Sequence, residues 1–508
     1  MKLLGASSLL FGTALLLNDL TAVNALKLFH RRKDFSDEAV LRRRATMSSD
    51  LDNHGDSQYY TNITLNGQSF SVLIDTGSSD LAVGSDVPGA SSSGKTASVD
   101  YAIGEVKGPI ELATLEFEGF SVQNQAFIRD TTGDQKTGEG IIGLGPSSSS
   151  VVQDTLGAST GNPPLDRIFL QNTSTPNYLS VYLGRSNDPT DPFPGDLTIG
   201  SLISGYENVT SQPKLSVTVV KSTNSQHWGS LLDANGIIGP DGVAINTTSK
   251  VAGTSKNTNQ LRVIFDTGFT FPQVPTAVAD AIYSRVPNAT FKNITGNIGG
   301  VWTIPCTVEL NVTFKFANVS FPIHPLDTSL SQFNEVDELG NPICLGAFQP
   351  IQQPSSTYDA ILGMAFLRNA YMLINFGDFV NGLTDKVADP YIQLLPTTTD
   401  LAEAHNDFVT ERLDGIDDTG SFHLLPASVQ SDPTETQSGS ETFADKIHPY
   451  IPYIIAGSVA AGVILLVAIG FCIRSGRKRR YQRLHEPAPV GLHHQEPPFS
   501  QYQPSRRY

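Results

Sequence analysis

The sequence VLIDTGSS occupies Val72–Ser79 and decides the fold of the chain. Three apolar residues, two of them β-branched, predict a buried strand, and the Asp-Thr-Gly-Ser-Ser that follows predicts a sharp turn at its end. A carboxylate that stands on a turn at the end of a rigid strand is held in one geometry. The stretch therefore makes Asp75 a candidate functional residue.

The same pattern returns later in the chain, as VIFDTG at Val263–Gly268. Each copy is followed by an apolar-apolar-Gly sequence, which is Ile141–Gly143 after the first copy and Ile361–Gly363 after the second. A duplicated strand–turn–strand plan would bring two carboxylates, those of Asp75 and Asp266, face to face across a pseudo-two-fold axis.

This pair of turns resembles the active-site turns of pepsin-like aspartic proteases of the type found in fungi. The resemblance extends from Gln58 to Leu395 and implies a mainly β, bilobed fold with two pseudo-two-fold-related β lobes. It also implies hydrolysis of peptide bonds at acidic pH by a water molecule activated between Asp75 and Asp266. Because two adjacent carboxylates cannot both ionise easily, one of them keeps a proton.

The resemblance also implies supporting roles around the dyad. Thr76 and Thr267 would brace the two turns against each other through hydroxyl-to-backbone hydrogen bonds. Gly77 and Gly268 would let backbone N–H groups approach the carboxylates. Ser78 would donate a hydrogen bond to the carboxylate of its own turn.

Val99–Gly104 resembles the tip of the family's flap hairpin, which closes over substrate, with Tyr101 as its aromatic residue. Several positions depart from the family pattern, among them Ala102 in place of the usual flap Gly. Phe269 stands where a Ser or Thr usually donates to the second aspartate, with Thr270 out of step by one, and Ala82 replaces a Trp that supports the flap tyrosine. These departures leave an alternative open, a catalytically impaired pepsin-fold protein that acts as a cell-surface peptide- or glycan-binding receptor.

Only two of the three cysteines, Cys306 and Cys344, lie in the body of the chain. Secretion favours a disulfide between them, and the matching position in the family supports this pairing. The ten histidines are scattered without metal-ligand spacing, and no phosphate-binding Gly-rich pattern occurs. We therefore expect neither a metal nor a cofactor.

The N-terminal residues have the composition of targeting and processing segments. Residues 1–25 predict a signal peptide, because a short apolar run ends in a small-residue cleavage site. Residues 26–44 are basic and predict a propeptide. The protease domain would then span residues 45–396, with lobes at about 45–210 and 211–396.

The C-terminal residues predict membrane attachment. Residues 397–450 are rich in Thr, Ser, Asp, Glu and Pro, which predicts a disordered stalk. Residues 453–473 are apolar, carry no charge and are long enough to span a bilayer as a single transmembrane helix. The basic residues of 474–508 predict a cytoplasmic tail, so the domain would be extracellular or luminal, in a type I arrangement.

Eight Asn-x-Ser/Thr sequons support a glycosylated domain, at Asn62, Asn172, Asn208, Asn246, Asn288, Asn293, Asn311 and Asn318. The net charge of −16 does not suit nucleic acid. The expected partners are peptide or protein substrates and, through the transmembrane helix, the lipid bilayer. We expect a monomer, and the plasma membrane and the endosome or vacuole are equally open as its location.

Overall fold

The computed structural model describes residues 49–429, apart from residues 102–103, 173–174, 187, 191, 221–224, 254–255, 295–298, 338–339, 352–354 and 378–387. The predicted signal peptide, propeptide, transmembrane helix and cytoplasmic tail all lie outside these residues. Within them, no helix is both long enough and apolar enough to cross a membrane.

Strands dominate the structure, because short runs of Val, Ile, Thr and Phe alternate with turn residues. The strands of the first half are β1 (Ser49–Asp50), β2 (Asp52–Asn53), β3 (Tyr59–Leu65), β4 (Gln68–Asp75), β5 (Leu81–Val83), β6 (Ser91–Asp100), β7 (Glu105–Phe117), β8 (Phe120–Arg129), β9 (Glu139–Gly143), β10 (Tyr178–Leu183), β11 (Gly195–Ile199) and β12 (Leu215–Ser216). The strands of the second half are β13 (Gly229–Leu231), β14 (Ile237–Ile238), β15 (Arg262–Phe265), β16 (Gln273–Val274), β17 (Thr290–Ile294), β18 (Gly299–Pro305), β19 (Val312–Phe316), β20 (Val319–Ile323), β21 (Ser329–Val336), β22 (Pro342–Gly346), β23 (Gln349–Pro350), β24 (Ala360–Leu362), β25 (Ala370–Asn375) and β26 (Tyr391–Pro396).

The α-helices of the described residues are short. They are α1 (Val151–Leu156), α2 (Pro164–Gln171), α3 (Thr276–Tyr283), α4 (Met364–Leu367) and α5 (Leu401–Arg412). Four of the five lie between strands, and α5 follows the last strand.

The strands form five sheets. The first lobe contains an eight-stranded sheet in the order β2-β3-β4-β9-β5-β8-β7-β6. The second lobe contains sheets of five, four and three strands, in the orders β13-β15-β24-β16-β23, β17-β18-β22-β21 and β14-β19-β20. A six-stranded sheet, β1-β11-β10-β25-β26-β12, takes strands from both halves of the chain and so joins the two lobes.

The two lobes repeat one strand plan around the Asp-Thr-Gly turns. In the first lobe, β4 runs parallel to β9, and β9 pairs antiparallel with β5. In the second lobe, β15 runs parallel to β24, and β24 pairs antiparallel with β16. The structure therefore has the mainly β, bilobed, pepsin-like fold that the duplicated sequence predicts.

The predicted disulfide is present in the second lobe. Cys306 and Cys344 are joined by an S–S bond of 2.04 Å and lie on neighbouring segments, just after β18 and within β22. The bond closes a loop of the second lobe, which reduces the entropy of its unfolded state.

The prediction of a disordered stalk at residues 397–450 is wrong for residues 397–429, which are folded. Asp400 caps α5 by accepting hydrogen bonds from the first backbone N–H groups of that helix. Ala404 and Phe408, one turn apart, are buried, and Arg412 contacts the sulfur of Cys344 in the second lobe. The polar composition conceals these few apolar residues, whose helical spacing is sufficient to anchor the segment. Residues 430–450 lie outside the described part of the chain.

Candidate active site

Both aspartates stand at the ends of buried strands. Asp75 is the last residue of β4, and Asp266 directly follows β15. Each side chain is 6% exposed, whereas Thr76 and Thr267, the next residues, are completely buried. The strands thus deliver two carboxyl groups from the protein interior to the junction of the lobes.

The two threonines connect the turns through four hydrogen bonds. The backbone N–H of Thr76 donates to Thr267 Oγ1, and the N–H of Thr267 donates to Thr76 Oγ1, both at 3.0 Å. The hydroxyls in turn donate to the carbonyl oxygens of Phe265 and Ile74, both at 2.9 Å. Each turn is therefore braced by the other, in the arrangement expected from the sequence.

The glycines are required because the carboxyl groups approach the backbone closely. The N–H groups of Gly77 and Gly268 donate to Oδ1 of Asp75 and Asp266, each at 2.8 Å. A Cβ atom on Gly77 would lie 2.1 Å from Asp266 Oδ2, and one on Gly268 would lie 2.6 Å from Asp75 Oδ1. Each glycine thus faces the aspartate of the opposite turn, and no side chain fits there.

The two turns differ at the residue after the glycine. Ser78 donates its hydroxyl to Asp75 Oδ2 at 2.5 Å. The equivalent position beside Asp266 is Phe269, and the hydroxyl of Thr270 donates instead to the Ser57 carbonyl oxygen, at 2.6 Å. Among the described residues, the second turn therefore offers its carboxyl group no hydroxyl donor.

This difference has an electrostatic consequence for the second aspartate. Burial raises the pKa of Asp266 well above its usual range, and the adjacent Asp75, with which it shares a hydrogen bond, raises it further. The backbone N–H groups of Gly268 and Phe269 act in the opposite direction and do not cancel these effects. Asp266 thus favours the protonated form in which it can donate to a neighbour.

Strands β6 and β7 form the hairpin that was predicted as the flap. Asp100 pairs with Glu105, and the N–H of Tyr101 donates to the Gly104 carbonyl oxygen at 3.1 Å. Residues 102–103 at the tip lie outside the described residues. Tyr101 packs against an apolar cluster that contains the fully buried Ala82, the residue that stands where the family usually has a Trp.

Tyr101 also approaches the first turn. Burial raises the pKa of its phenol, and the negative charge of Asp75 raises it further, so the hydroxyl stays protonated. The hydroxyl lies near Ser78, although it makes no hydrogen bond of good geometry with the described residues. The predicted flap tyrosine therefore lies near the first Asp-Thr-Gly turn.

Sequence reasoning missed Asp80, which follows the first turn. This buried carboxylate accepts hydrogen bonds from the Ser150 hydroxyl and from the N–H groups of Val151 and Val152, at the start of α1. It therefore ties the first Asp-Thr-Gly turn to a helix terminus, and burial raises the pKa of Asp80. Its position five residues after Asp75 is the only signal in the sequence, and that spacing does not reveal the distant helix.

Sequence reasoning also missed His227 and Tyr358. The Nδ1 atom of His227 lies 3.1 Å from the Gly77 carbonyl oxygen, and its ring meets that of Tyr358 edge to face at 5.9 Å between centroids. Neither residue belongs to a recognisable motif. Only the packing of the lobes brings them to the dyad, so no local signal could have identified them.

The sequon asparagines are mostly accessible. Six are exposed: Asn62, Asn208, Asn246, Asn288, Asn311 and Asn318. Asn172 is half-buried, and its side-chain amide donates to the Ile168 carbonyl oxygen. The side chain of Asn293 is not among those that the structure describes.

A group of metal-type ligands occurs away from the dyad, at Asp188, His324 and Asp407, with ligand atoms within 4.8 Å of one another. The Nδ1 atom of His324 accepts the N–H of Leu326, so Nε2 carries the proton of the neutral ring and cannot coordinate. Asp188 is also paired with Arg185, at 3.4 Å. The group is better suited to an ion pair than to a metal.

Two matched, cross-braced turns that bring two buried carboxyl groups together form the arrangement expected of an aspartic peptidase. The family model described as eukaryotic aspartyl protease matches residues 58–384, and the chain belongs to that family. It is therefore an aspartic-type endopeptidase, a hydrolase.

Similar proteins include fungal and animal members of the family. Major aspartyl peptidase 1 of Cryptococcus neoformans var. grubii is 26% identical over 71% of this chain and 78% of its own length. Probable vacuolar protease A of Trichophyton verrucosum is 25% identical over 70% of this chain and 85% of its own length. Cathepsin E-B of Xenopus laevis is 28% identical over 68% of this chain and 83% of its own length. These similarities identify a pepsin-like peptidase of the fungal type.

Proposed function

We propose that the protein cleaves protein substrates at acidic pH and that Asp75 and Asp266 form its catalytic dyad. The observation that carries this proposal is the contact between two buried carboxyl groups on cross-braced turns. A protein that only binds peptides needs no such pair. The retained dyad therefore favours the enzyme over the receptor alternative, despite Phe269.

In the proposed mechanism, Asp266 is the protonated member and Asp75 the carboxylate. Asp75 takes a proton from a water molecule that attacks the scissile carbonyl carbon, while Asp266 donates its proton to the carbonyl oxygen. The resulting tetrahedral diol collapses when the proton held by Asp75 passes to the leaving nitrogen. One diol hydroxyl then returns a proton to Asp266, so the dyad ends as it began.

The neighbouring residues would serve this cycle by restricting motion. The threonine braces fix the spacing of the carboxyl groups, and Ser78 orients Asp75. Tyr101 would cover the bound substrate on the flap side. The dyad titrates as a unit, so its apparent pKa values belong to the pair.

We also propose that the enzyme is a membrane-anchored glycoprotein. The support is in the sequence, which has a signal peptide at 1–25, a propeptide at 26–44 and a transmembrane helix at 453–473. The exposed sequons suit a luminal or extracellular domain. A relative named as a probable vacuolar protease is compatible with an endosomal or vacuolar membrane, as an alternative to the plasma membrane.

The test uses the full-length protein, produced in a eukaryotic host and solubilised in detergent. Cleavage of a denatured protein at pH 3 to 5 is measured with and without pepstatin. We expect pepstatin-sensitive cleavage, and a loss of at least about 1000-fold in Asp75→Asn and in Asp266→Asn. The exposed Asp154 provides the matched control, and Asp154→Asn should cleave like the unmodified enzyme. Folded, processed protein that cleaves nothing would contradict the proposal and favour the receptor alternative.

A further inference from the structure

His227 is a titratable side chain beside the dyad that the mechanism above does not use. It lies just before β13, in the second half of the chain, yet its Nδ1 atom is 3.1 Å from the carbonyl oxygen of Gly77 in the first turn. A carbonyl oxygen can only accept, so Nδ1 carries a proton and donates. The imidazole is thereby fixed against the first catalytic turn.

The backbone on both sides of His227 is held in place. Trp228 is completely buried, and its Nε1–H donates to the Leu144 carbonyl oxygen at 2.9 Å. Gln226 is also buried, and its side-chain amide donates to the carbonyl oxygens of Thr218 and His227, at 3.0 and 2.9 Å. The ring is therefore carried on a rigid segment and cannot easily leave the turn.

The ring of His227 also contacts Tyr358, a residue that lies close enough to Asp266 to feel its charge. Tyr358 meets the imidazole edge to face, and the charge of Asp266 contributes to the raised pKa of that tyrosine, after burial. His227 is half-buried, and its Nε2 atom has no hydrogen-bond partner among the described residues. A second nitrogen of the ring is thus left for a group that comes from outside the chain.

The charge of this ring depends on pH within the working range of an acid protease. Burial lowers the pKa of His227, while its bond to Gly77 and the charge of Asp75 oppose that change. Tyr358, whose ring packs against the imidazole, stays neutral because burial raises the pKa of its phenol. At sufficiently acidic pH, a substrate that lies across the dyad therefore meets an imidazolium with a free N–H donor.

We propose that His227 determines specificity by binding an acidic side chain, Asp or Glu, of the substrate at the position that passes Gly77. This inference rests on the proposed function, because it requires the substrate chain to lie across Asp75 and Asp266. The Nε2–H would donate a charge-assisted hydrogen bond to the substrate carboxylate, which a neutral amide of the same shape accepts more weakly. The preference for Asp or Glu should exist only at pH values at which the His227 ring is protonated and the substrate carboxylate is ionised.

The test compares peptides that differ by Glu or Gln at one position at a time, on both sides of the cleaved bond. The full-length, solubilised enzyme is used, and kcat/KM is measured from pH 4 to 7. We expect Glu to be preferred by about fivefold or more at one position near pH 5, and the preference to disappear above about pH 6.5.

Two substitutions separate charge from positioning. His227→Asn can still donate to the Gly77 carbonyl oxygen but carries no charge, so its Glu/Gln ratio should fall to about one. His227→Lys keeps a positive charge at all these pH values, so its preference for Glu should persist to pH 7. His423→Gln changes an exposed histidine of the C-terminal segment and should retain the ratio of the unmodified enzyme.

The outcomes are distinguishable. Equal cleavage of Glu and Gln peptides at every position, or a Glu preference that survives in His227→Asn, would overturn the proposal while leaving the dyad intact. Failure of the unmodified enzyme to cleave any peptide would overturn the proposed function, and this proposal with it.

Discussion

The two lobes present the same Asp-Thr-Gly turn in different surroundings. Asp75 accepts the hydroxyl of Ser78, whereas Asp266 stands next to Phe269 and accepts only backbone N–H groups from its own turn. The shared motif fixes the position of each carboxyl group, but the residue after the motif decides whether that group receives a hydroxyl donor. The two carboxyl groups are therefore placed symmetrically but receive different hydrogen-bond donors.

The lobes also differ in how their cores respond to pH. The first lobe buries Asp166 in α2, where one carboxyl oxygen has no hydrogen-bond partner, and burial raises its pKa to about 7. The second lobe is closed by a disulfide and covered by the C-terminal helix, whose Arg412 reaches Cys344 and the Ser329 carbonyl oxygen. The first lobe should thus be the less stable one at neutral pH.

The largest expected effect tests this difference in stability. In the folded protein the pKa of Asp166 lies above its unfolded value of 3.8, so the folded state binds the proton more tightly. That stabilisation is complete below about pH 4 and is lost as pH rises towards 7, by about 3–4 kcal/mol. Asp166→Asn should remove most of this pH dependence, as measured by thermal unfolding from pH 4 to 7. An equal loss of stability in Asp166→Asn and in the control Asp154→Asn would contradict this prediction for Asp166.

The next largest effect should come from disrupting the threonine braces, to which both lobes contribute. Thr267→Val removes one hydroxyl and with it two of the four bracing bonds, leaving the Thr76 N–H and the Ile74 carbonyl oxygen without partners. We expect a loss of about 2–3 kcal/mol in the free energy of unfolding and of about 100-fold in kcat/KM.

Thr76→Val should have the same effect, because it removes the other half of one network. The double variant should lose less than the sum of the two single losses. Additive losses in denaturant unfolding would show that the two threonines do not act as one brace.

A smaller effect should follow from making the first turn resemble the second. Ser78→Ala removes the hydroxyl that donates to Asp75, so the ionised dyad is less stabilised. We expect kcat/KM to fall by about tenfold and the alkaline limb of its pH profile to move to higher pH. An alkaline limb that stays at the same pH in Ser78→Ala would show that the Ser78 hydroxyl does not stabilise the ionised dyad.

The dyad, its braces and the disulfide were readable in the sequence because each depends on residues next to a repeated or paired motif. Phe269 was readable for the same reason, as a departure from an otherwise matched turn.

Other features depend on contacts between distant segments and left no local pattern. His227 reaches Gly77 only because the lobes pack together. The folded segment after residue 396 was hidden by its polar composition, since it is held by the buried Ala404 and Phe408 and by long-range contacts such as that of Arg412 with Cys344. The buried state of Asp166 likewise depends on packing, which a single sequence does not display.

The most direct test of this asymmetry restores the missing donor with Phe269→Ser. A hydroxyl beside Asp266 would stabilise its ionised form and lower the raised pKa, so the alkaline limb of kcat/KM should move to lower pH by about 0.5–1 unit. Thr270→Val serves as the control, because that hydroxyl bonds to Ser57 and not to the dyad. A limb that stays in place in Phe269→Ser, or moves to higher pH, would contradict the account in which the missing donor adds to the effects of burial and of Asp75 that keep Asp266 protonated.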